Sequence, residues 1–320
     1  MVRRLGVPLA AVLLTAGGCG LFAAKPAEQP QLERTTLRVG VGNAIDTAPL
    51  RLAVAEGRFR QAGLEIQLVE QGQANDGLTK LTAGQLDVAF ASDVALFHAA
   101  AGGTALQLQA EAYTSGSDTM ALVTLPDSTY TEPSSKKAPT IAVNILDDLD
   151  TLAARSTLAT AGVDKAKIKF VQQPFADMAK ALADRKADAA WMVEPYITKA
   201  EKELGARILA DGARGATLEL PVSSYASNGI FAQANPRVLS LFRKLVGEAQ
   251  QRASDPAVVR AALPRFSDID KTTASLISLG TYPSTLNGIR LQRVADLMHG
   301  NGVLADRLDV QALLPEAMSP

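Results

Sequence analysis

The chain has 320 residues, a formal net charge of −1, 47% hydrophobic residues and 5% aromatic ones. That length supplies a large core and suggests roughly two domains of ~100–200 residues each. The balanced charge excludes the basic surface that a nucleic-acid partner requires, and a single cysteine, Cys19, excludes an internal disulfide.

The first residues, MVRRLGVPLAAVLLTAGGC, combine Arg3 and Arg4 with an apolar run from Leu5 to Ala16 and small residues before Cys19. A basic start, a short apolar middle and small residues at a cleavage point describe a secretory signal over 1–18. The run is shorter than the ~20 residues a bilayer span needs. Cys19 directly after Gly17-Gly18 resembles a lipobox, so Cys19 is the expected lipidation site; Ala16 departs from the Leu usual in such boxes. An ordinary signal peptide with an incidental cysteine is the alternative. The segment 19–36, rich in Pro, Ala and polar residues, is expected to be a flexible tether. The mature protein would then be secreted and held on the outer face of the cell membrane, or on the periplasmic side in a two-membrane bacterium.

LRVGVGN (Leu37–Asn43) reads as a strand ended by a polar turn, and PLRLAVAEGRF as a helix with Pro49 in its first turn. AGLEIQLVEQG is a second strand, NDGLTKLTAG a helix and LDVAFAS a third strand; a fourth lies near Glu111-Ala112-Tyr113. Alternating strands and helices predict a parallel sheet. The same order returns at an offset of 101 residues: Asn43 matches Asn144, Asp87 matches Asp188, Phe90 matches Trp191 and Asp93 matches Glu194. The sequence therefore predicts an α/β protein of two similar Rossmann-like lobes, lobe one from 37–120 and 226–320 and lobe two from 121–225. TMALVTLPDSTY and SSYASNGIFAQ are the expected hinge crossings. Helices such as NPRVLSLFRKLVGEAQQRA and GIRLQRVADLMHGNGVL pack the C-terminal part onto lobe one. Such a body suits closure around a ligand.

The ordered words PLRLAVAEGRFRQAGLEIQLVEQGQ, LTAGQLDVAFAS, LADRKADAAWMVEPYITKA and LQRVADLMHGNGVLADRLDV resemble the nitrate/sulfonate/taurine-type substrate-binding lipoproteins of ABC importers. Thiamine-pyrimidine precursor binders belong to the same wider group. The resemblance implies a type II periplasmic-binding-protein fold. It also implies capture of a small solute by a monomer and delivery to an ABC permease with its ATPase, with no cofactor.

Ligands of open α/β sheets bind beyond the carboxyl ends of the strands. In lobe one these ends carry Asn43 with Asp46-Thr47, then Gln71 and Gln73, Ser92-Asp93 and Tyr113. In lobe two they carry Asn144 with Asp147-Asp148, then Phe175, Trp191 and Glu194. Asn228, in the second crossing, joins this candidate ligand-binding set. Asn43 and Asn144 could instead turn the chain, and the aspartates could cap helices. Asp87 and Asp188, at the remote strand ends, are expected to be surface turn residues, and Phe90 a core residue. Trp191, the chain's only tryptophan, is either a core residue or the aromatic wall of the site, with Glu194 beside it as acceptor for a ligand N–H. Acids without Arg or Lys in these loops favour a neutral or cationic nitrogenous ligand over an anion. A sulfonate, taurine or nitrate held by helix N-termini is the alternative.

An enzyme of the related pyrimidine-synthesising type would need His and Lys chemistry in the cleft, which none of these loops offers. His98 and His299 stand in helical segments without HExxH spacing or a neighbouring nucleophile, and GVGNAI lacks the third glycine of a dinucleotide fingerprint. No catalytic or metal-ligating residue is therefore assigned. A lipoprotein that presents its ligand to a sensor is the remaining alternative.

Overall fold

A computed structural model of the chain describes residues 2, 31–71 and 76–316. The rest of the signal segment, Cys19 and Gln73 lie outside the described residues. Lobe one begins with β1 (Thr36–Val41), α1 (Ala48–Ala55), α2 (Arg58–Gln61), β2 (Glu65–Glu70), α3 (Asp76–Thr82), β3 (Ala89–Ser92), α4 (Asp93–Ala101) and β4 (Leu106–Thr114). Lobe two holds β5 (Met120–Thr124), β6 (Thr140–Val143), α5 (Leu149–Thr160), β7 (Lys169–Gln172), α6 (Phe175–Ala183), β8 (Ala189–Val193), α7 (Tyr196–Leu204) and β9 (Arg207–Asp211). The chain returns through β10 (Pro221–Asn228) into α8 (Gly229–Ala234), α9 (Pro236–Arg252), α10 (Pro256–Ala262), α11 (Lys271–Leu276) and α12 (Gly288–Gly300).

A parallel bridge from Val39 to Val88 joins β1 and β2 to the other strands of lobe one, giving the order β2-β1-β3-β10-β4. Lobe two runs β7-β6-β8-β5-β9. Within each lobe the order is second, first, third, a strand shared across the hinge, then fourth. This is the duplication that the 101-residue offset predicts. The shared strands are antiparallel to their neighbours: β10 to β3 and β4, β5 to β8 and β9. Both sheets are therefore mixed rather than purely parallel.

Because β10 hydrogen-bonds into lobe one, the second crossing ends at Leu220, several residues before the predicted boundary at 225/226. The crossings themselves are Ser115–Thr119 and Gly212–Leu220. They pair where Ser115 N donates to the Leu220 carbonyl at 2.9 Å and Leu220 N to Ser115 Oγ at 3.0 Å. At the N-terminal side β1 begins at Thr36, and the Glu33 carboxylate accepts from Arg237 N and Val238 N at the start of α9.

Helix α9 turns Val238, Leu239, Phe242, Leu245, Val246 and Ala249 onto α1 and the β1–β2 side of the sheet. At roughly 1.5–3 kcal/mol for each large buried side chain, this stripe fixes the helix more firmly than its intrinsic propensity does. Helix α12 covers the other face with Leu291, Val294, Ala295 and Met298.

Asp87 corrects the expectation of a surface turn. It is buried, accepts from Arg38 N at 2.8 Å and pairs with the Arg38 and Arg34 guanidiniums. Asp188 accepts in the same way from Thr140 N at 2.8 Å. Each aspartate thus ties the start of its lobe's first strand to the start of its third.

Candidate functional site

A cavity of about 450 Å³ opens between the carboxyl ends of the two sheets, within the size range of small-molecule sites. Lobe one contributes Gly42–Asp46 after β1, Gln71 after β2, Phe90–Ser92 at the end of β3 and Tyr113 from β4. Lobe two contributes Asn144, Ile145 and Asp148–Asp150 after β6, Phe175 at the start of α6, and Val193–Tyr196 after β8. Thr119 and Met120 at the first crossing, Val222 and Ser223 of β10, and Ser267–Ile269 complete the wall. Of the candidate residues, Asn43, Asp46, Gln71, Ser92, Tyr113, Asn144, Asp148, Phe175 and Glu194 line this cavity.

The structure does not bring Thr47, Asp93, Asp147, Trp191 or Asn228 to the cavity wall. Thr47 is buried, with its hydroxyl donating to the Asn43 carbonyl and accepting from Arg51 Nε, both at 2.8 Å. Asp147 is exposed in the loop before α5 at a φ of 58°. Asn228 caps α8 at the far end of β10, accepting from Ile230 N. Asp93 is 0% exposed, and both its carboxylate oxygens, like the nearby Ser224 hydroxyl, lack a hydrogen-bond partner.

Trp191 is a core residue. It is 0% exposed and packs among Met120, Tyr130, Val143 and Ala153. Val193, two positions on and therefore on the same face of β8, takes the place at the cavity rim. The duplicate explains the difference. In lobe one Gly42 leaves room for the Phe90 ring, whose nearest carbon would lie 2.8 Å from a Cβ there. At the matching place lobe two carries Val143, and the Trp191 ring instead lies against Gly212, where a Cβ would run into it. Phe90 is buried in the core as expected, at 8% exposure, and its ring also lines the cavity with Tyr113, Phe175 and Tyr196.

Sequence reasoning also missed Asp150, Tyr196, Ser223 and Asp268. Asp148 and Asp150 flank Leu149 in the opening turn of α5, where Asp148 caps the helix by accepting from Leu149 N at 2.7 Å; a capping pattern was the signal available for them. Tyr196 stacks on Phe175 with ring centroids 5.2 Å apart. Nothing local marks Ser223 or Asp268, which arrive from elements far away in sequence.

Hydrogen bonds join the two walls of the cavity. Ser92 Oγ donates to Asp148 Oδ1 at 2.6 Å, and Asn43 Nδ2 donates to the Glu194 carbonyl at 3.1 Å. The Glu194 carboxylate is occupied by the protein itself: it accepts from Thr198 N at 3.1 Å, Thr198 Oγ1 at 2.8 Å and Ser278 N at 3.0 Å. It is therefore not a free acceptor for a ligand.

Among the described lining residues there are five carboxylates, Asp46, Asp148, Asp150, Glu194 and Asp268, and no Lys, Arg or His. Arg51, the cation beneath the first loop, is spent on Glu70 and the Gly42 carbonyl. Burial pushes Asp46 up to about 7, only partly offset by the Ser223 hydroxyl that donates to it at 2.9 Å. Burial, reinforced by the neighbouring Asp148, pushes Asp150 up to about 8. Burial likewise raises Asp148 and Glu194 above the usual carboxylate range. Asp268, by contrast, is exposed and pairs with Lys199 at 3.0 Å, so the desolvated acids of the cavity are Asp46, Asp148, Asp150 and Glu194, beside the faces of Phe90, Phe175 and Tyr196.

The family model of the NMT1-like family matches residues 30–265. Among solved structures, the chain resembles the alkanesulfonate-binding protein SsuA of Xanthomonas axonopodis pv. citri bound to MOPS. The TM-score is 0.75 at 20% identity, over 90% of this chain and 100% of that one. The periplasmic aliphatic sulphonate binding protein SsuA of Escherichia coli gives a TM-score of 0.68 at 19% identity, over 87% and 97%. The periplasmic nitrate-binding protein NrtA of Synechocystis PCC 6803 gives 0.71 at 15% identity, over 88% and 85%. These likenesses establish the periplasmic-binding-protein fold, and all three neighbours are named as binding proteins. Among curated proteins, none matches the chain in sequence.

Proposed function

Since the chain belongs to the NMT1-like family, we propose that it is an extracytoplasmic solute-binding protein of an ABC importer whose ligand is a small neutral or cationic nitrogenous compound. The observation that carries the ligand class is the trio of buried acids Asp46, Asp148 and Asp150, with no Lys, Arg or His among the described cavity residues. An ammonium or protonated ring nitrogen would pair with Asp46, Asp148 or Asp150, at the strength of a charge-assisted hydrogen bond. An aromatic or methylated portion would lie against Phe90, Phe175 or Tyr196, with a cation–π contribution where the charge is on the ring. Asn43, Asn144, Gln71 and Ser92 would satisfy neutral polar groups. Delivery to a permease with its ATPase, lipidation at Cys19 and action as a monomer complete the reading. No helix among the described residues is long and apolar enough to cross a membrane.

A sulfonate or nitrate is the second reading, favoured by what the structural neighbours are named as binding. The two readings differ in the sign of their pH dependence. A cation needs ionised carboxylates, so its affinity should rise between pH 6 and 9 as Asp46 and Asp150 lose their protons. An anion needs them neutral and should bind more weakly over the same range. A thermal-shift screen of amines, pyrimidines, taurine, alkanesulfonates and nitrate at both pH values tests this, because a ligand of the folded state raises its melting temperature. Stabilisation by sulfonates alone, strongest at pH 6, would reject the nitrogenous reading.

A further inference from the structure

Besides the two crossings, a third segment spans the two lobes. Ile277–Tyr282 follows α11 in extended form beside the first crossing. Its far end is fixed to lobe one. Thr281 exchanges both backbone hydrogen bonds with Thr114, the last residue of β4, at 2.9 and 3.0 Å, and Tyr282 Oη donates to the Ile45 carbonyl at 2.9 Å. Gly280 N donates to Tyr113 Oη. Its near end is fixed to lobe two, where Ser278 N donates to Glu194 Oε1 at 3.0 Å. Just upstream, α7 holds the same stretch through Lys199–Asp268 and Lys202–Asp270 pairs at 3.0 and 3.2 Å.

The approach to the first crossing is close. A Cβ at Gly280 would run into the Thr114 carbonyl oxygen, and one at Gly116 would lie 3.1 Å from the Gly280 Cα. Ser115 in turn pairs with Leu220 of the second crossing. Three chain segments therefore lie side by side at the hinge, although the third is not a covalent link between the lobes.

We infer that Ile277–Tyr282 is a third hinge strand that limits how far the cleft opens, and that Glu194 is the positioning residue through which it grips lobe two. Opening the cleft must either carry the strap along or break the Ser278–Glu194 bond. The carbonyl of Glu194 is also the acceptor for Asn43 across the cavity, so one residue couples the strap to the cavity wall. The inference rests on the reading of the cleft as one that closes around a solute, and it is independent of which solute.

The test uses the full ligand-free chain with Cys19→Ser and spin labels on Gln67→Cys and Lys169→Cys, exposed positions of β2 and β7. Double electron–electron resonance should show a longer and broader interlobe separation for Glu194→Ala and for Gly280→Ala than for the parent. Ser278→Ala, which keeps the donating N–H, should match the parent. Folded Glu194→Ala and Gly280→Ala proteins with the parent's distance distribution would overturn the inference. Should neither variant fold, hydrogen exchange in the unaltered chain decides. Protection at Ser278, Gly280 and Thr281 comparable to β4 supports the strap, and exchange at the rate of exposed loops overturns it. Neither readout involves a ligand, so a failure here leaves the ligand class standing, and a failed ligand screen leaves the strap standing.

Discussion

Asp46 shows how a single cavity residue couples stability to pH. Among the described residues its one side-chain hydrogen-bond partner is the Ser223 hydroxyl, and burial raises it from 3.8 to about 7. A carboxyl raised in this way stabilises the folded protein fully below its unfolded value, and that contribution is lost as pH rises through the folded one. The ligand-free protein should therefore lose stability between about pH 4 and 7. Asp46→Asn, which keeps an acceptor for Ser223, should reduce this slope, leaving the part that Asp150 contributes, and gain on the order of 4 kcal/mol at pH 9. Urea unfolding at pH 5 and 9 measures both. Trp191 permits a second prediction at this scale. With the indole enclosed in the lobe-two core, its emission should resist quenching and stay unchanged on ligand binding. Trp191→Ala should cost about 3–5 kcal/mol of stability while the folded fraction keeps its ligand affinity. A large emission change at saturating ligand would return the indole to the site.

Among the elements, helix starts carry the cavity's polar groups. Ser92 caps α4, accepting from Ala95 N at 3.0 Å, while its hydroxyl donates to Asp148, the cap of α5. One hydroxyl thus holds two helix starts together across the cleft. Ser92→Ala should cost about 1–2 kcal/mol, a cap and a net hydrogen bond together, and should speed ligand release, which stopped-flow dissociation reads. Farther from the cavity, α12 is locked to β4 by the Arg290–Glu111 pair at 2.8 Å, with Glu111 almost wholly buried. Removing the cation would leave that charge uncompensated. Arg290→Ala should cost about 3–5 kcal/mol in chemical unfolding, with the loss largely recovered in the double variant Arg290→Met, Glu111→Leu.

For the molecule as a whole, the two sheets share one strand order, and in each a strand from across the hinge lies between the third and the fourth. That exchange is why the C-terminal helices return to lobe one, and why the crossings lie side by side rather than at opposite ends. The cavity sits where both sets of strand ends converge. Its field comes from desolvated acids whose ionisation spans neutral pH, so solute binding and proton release should be linked. Calorimetry of any stabilising cation in buffers of different ionisation enthalpy should show protons released on binding near pH 7. A heat independent of buffer would show that the ligand does not draw on these carboxyls.

The sequence by itself determined the duplicated α/β order of strands and helices, the return of the C-terminal helices and nine of the cavity's lining residues, because strand-end turns follow from local periodicity and glycine or proline punctuation. The 101-residue offset placed Asn43 and Asn144 on facing walls for the same reason. Only the tertiary structure decided which side chains of those turns face inward. Phe90 reaches the cavity and Trp191 does not, because Gly42 leaves a space that Val143 fills, and Gly212 leaves one that the indole takes. Glu194, chosen from sequence as a ligand acceptor, is satisfied by Thr198 and by Ser278, a residue 84 positions away. Side-chain direction and long-range hydrogen bonding depend on neighbours that meet only after folding, and a local pattern holds no record of them.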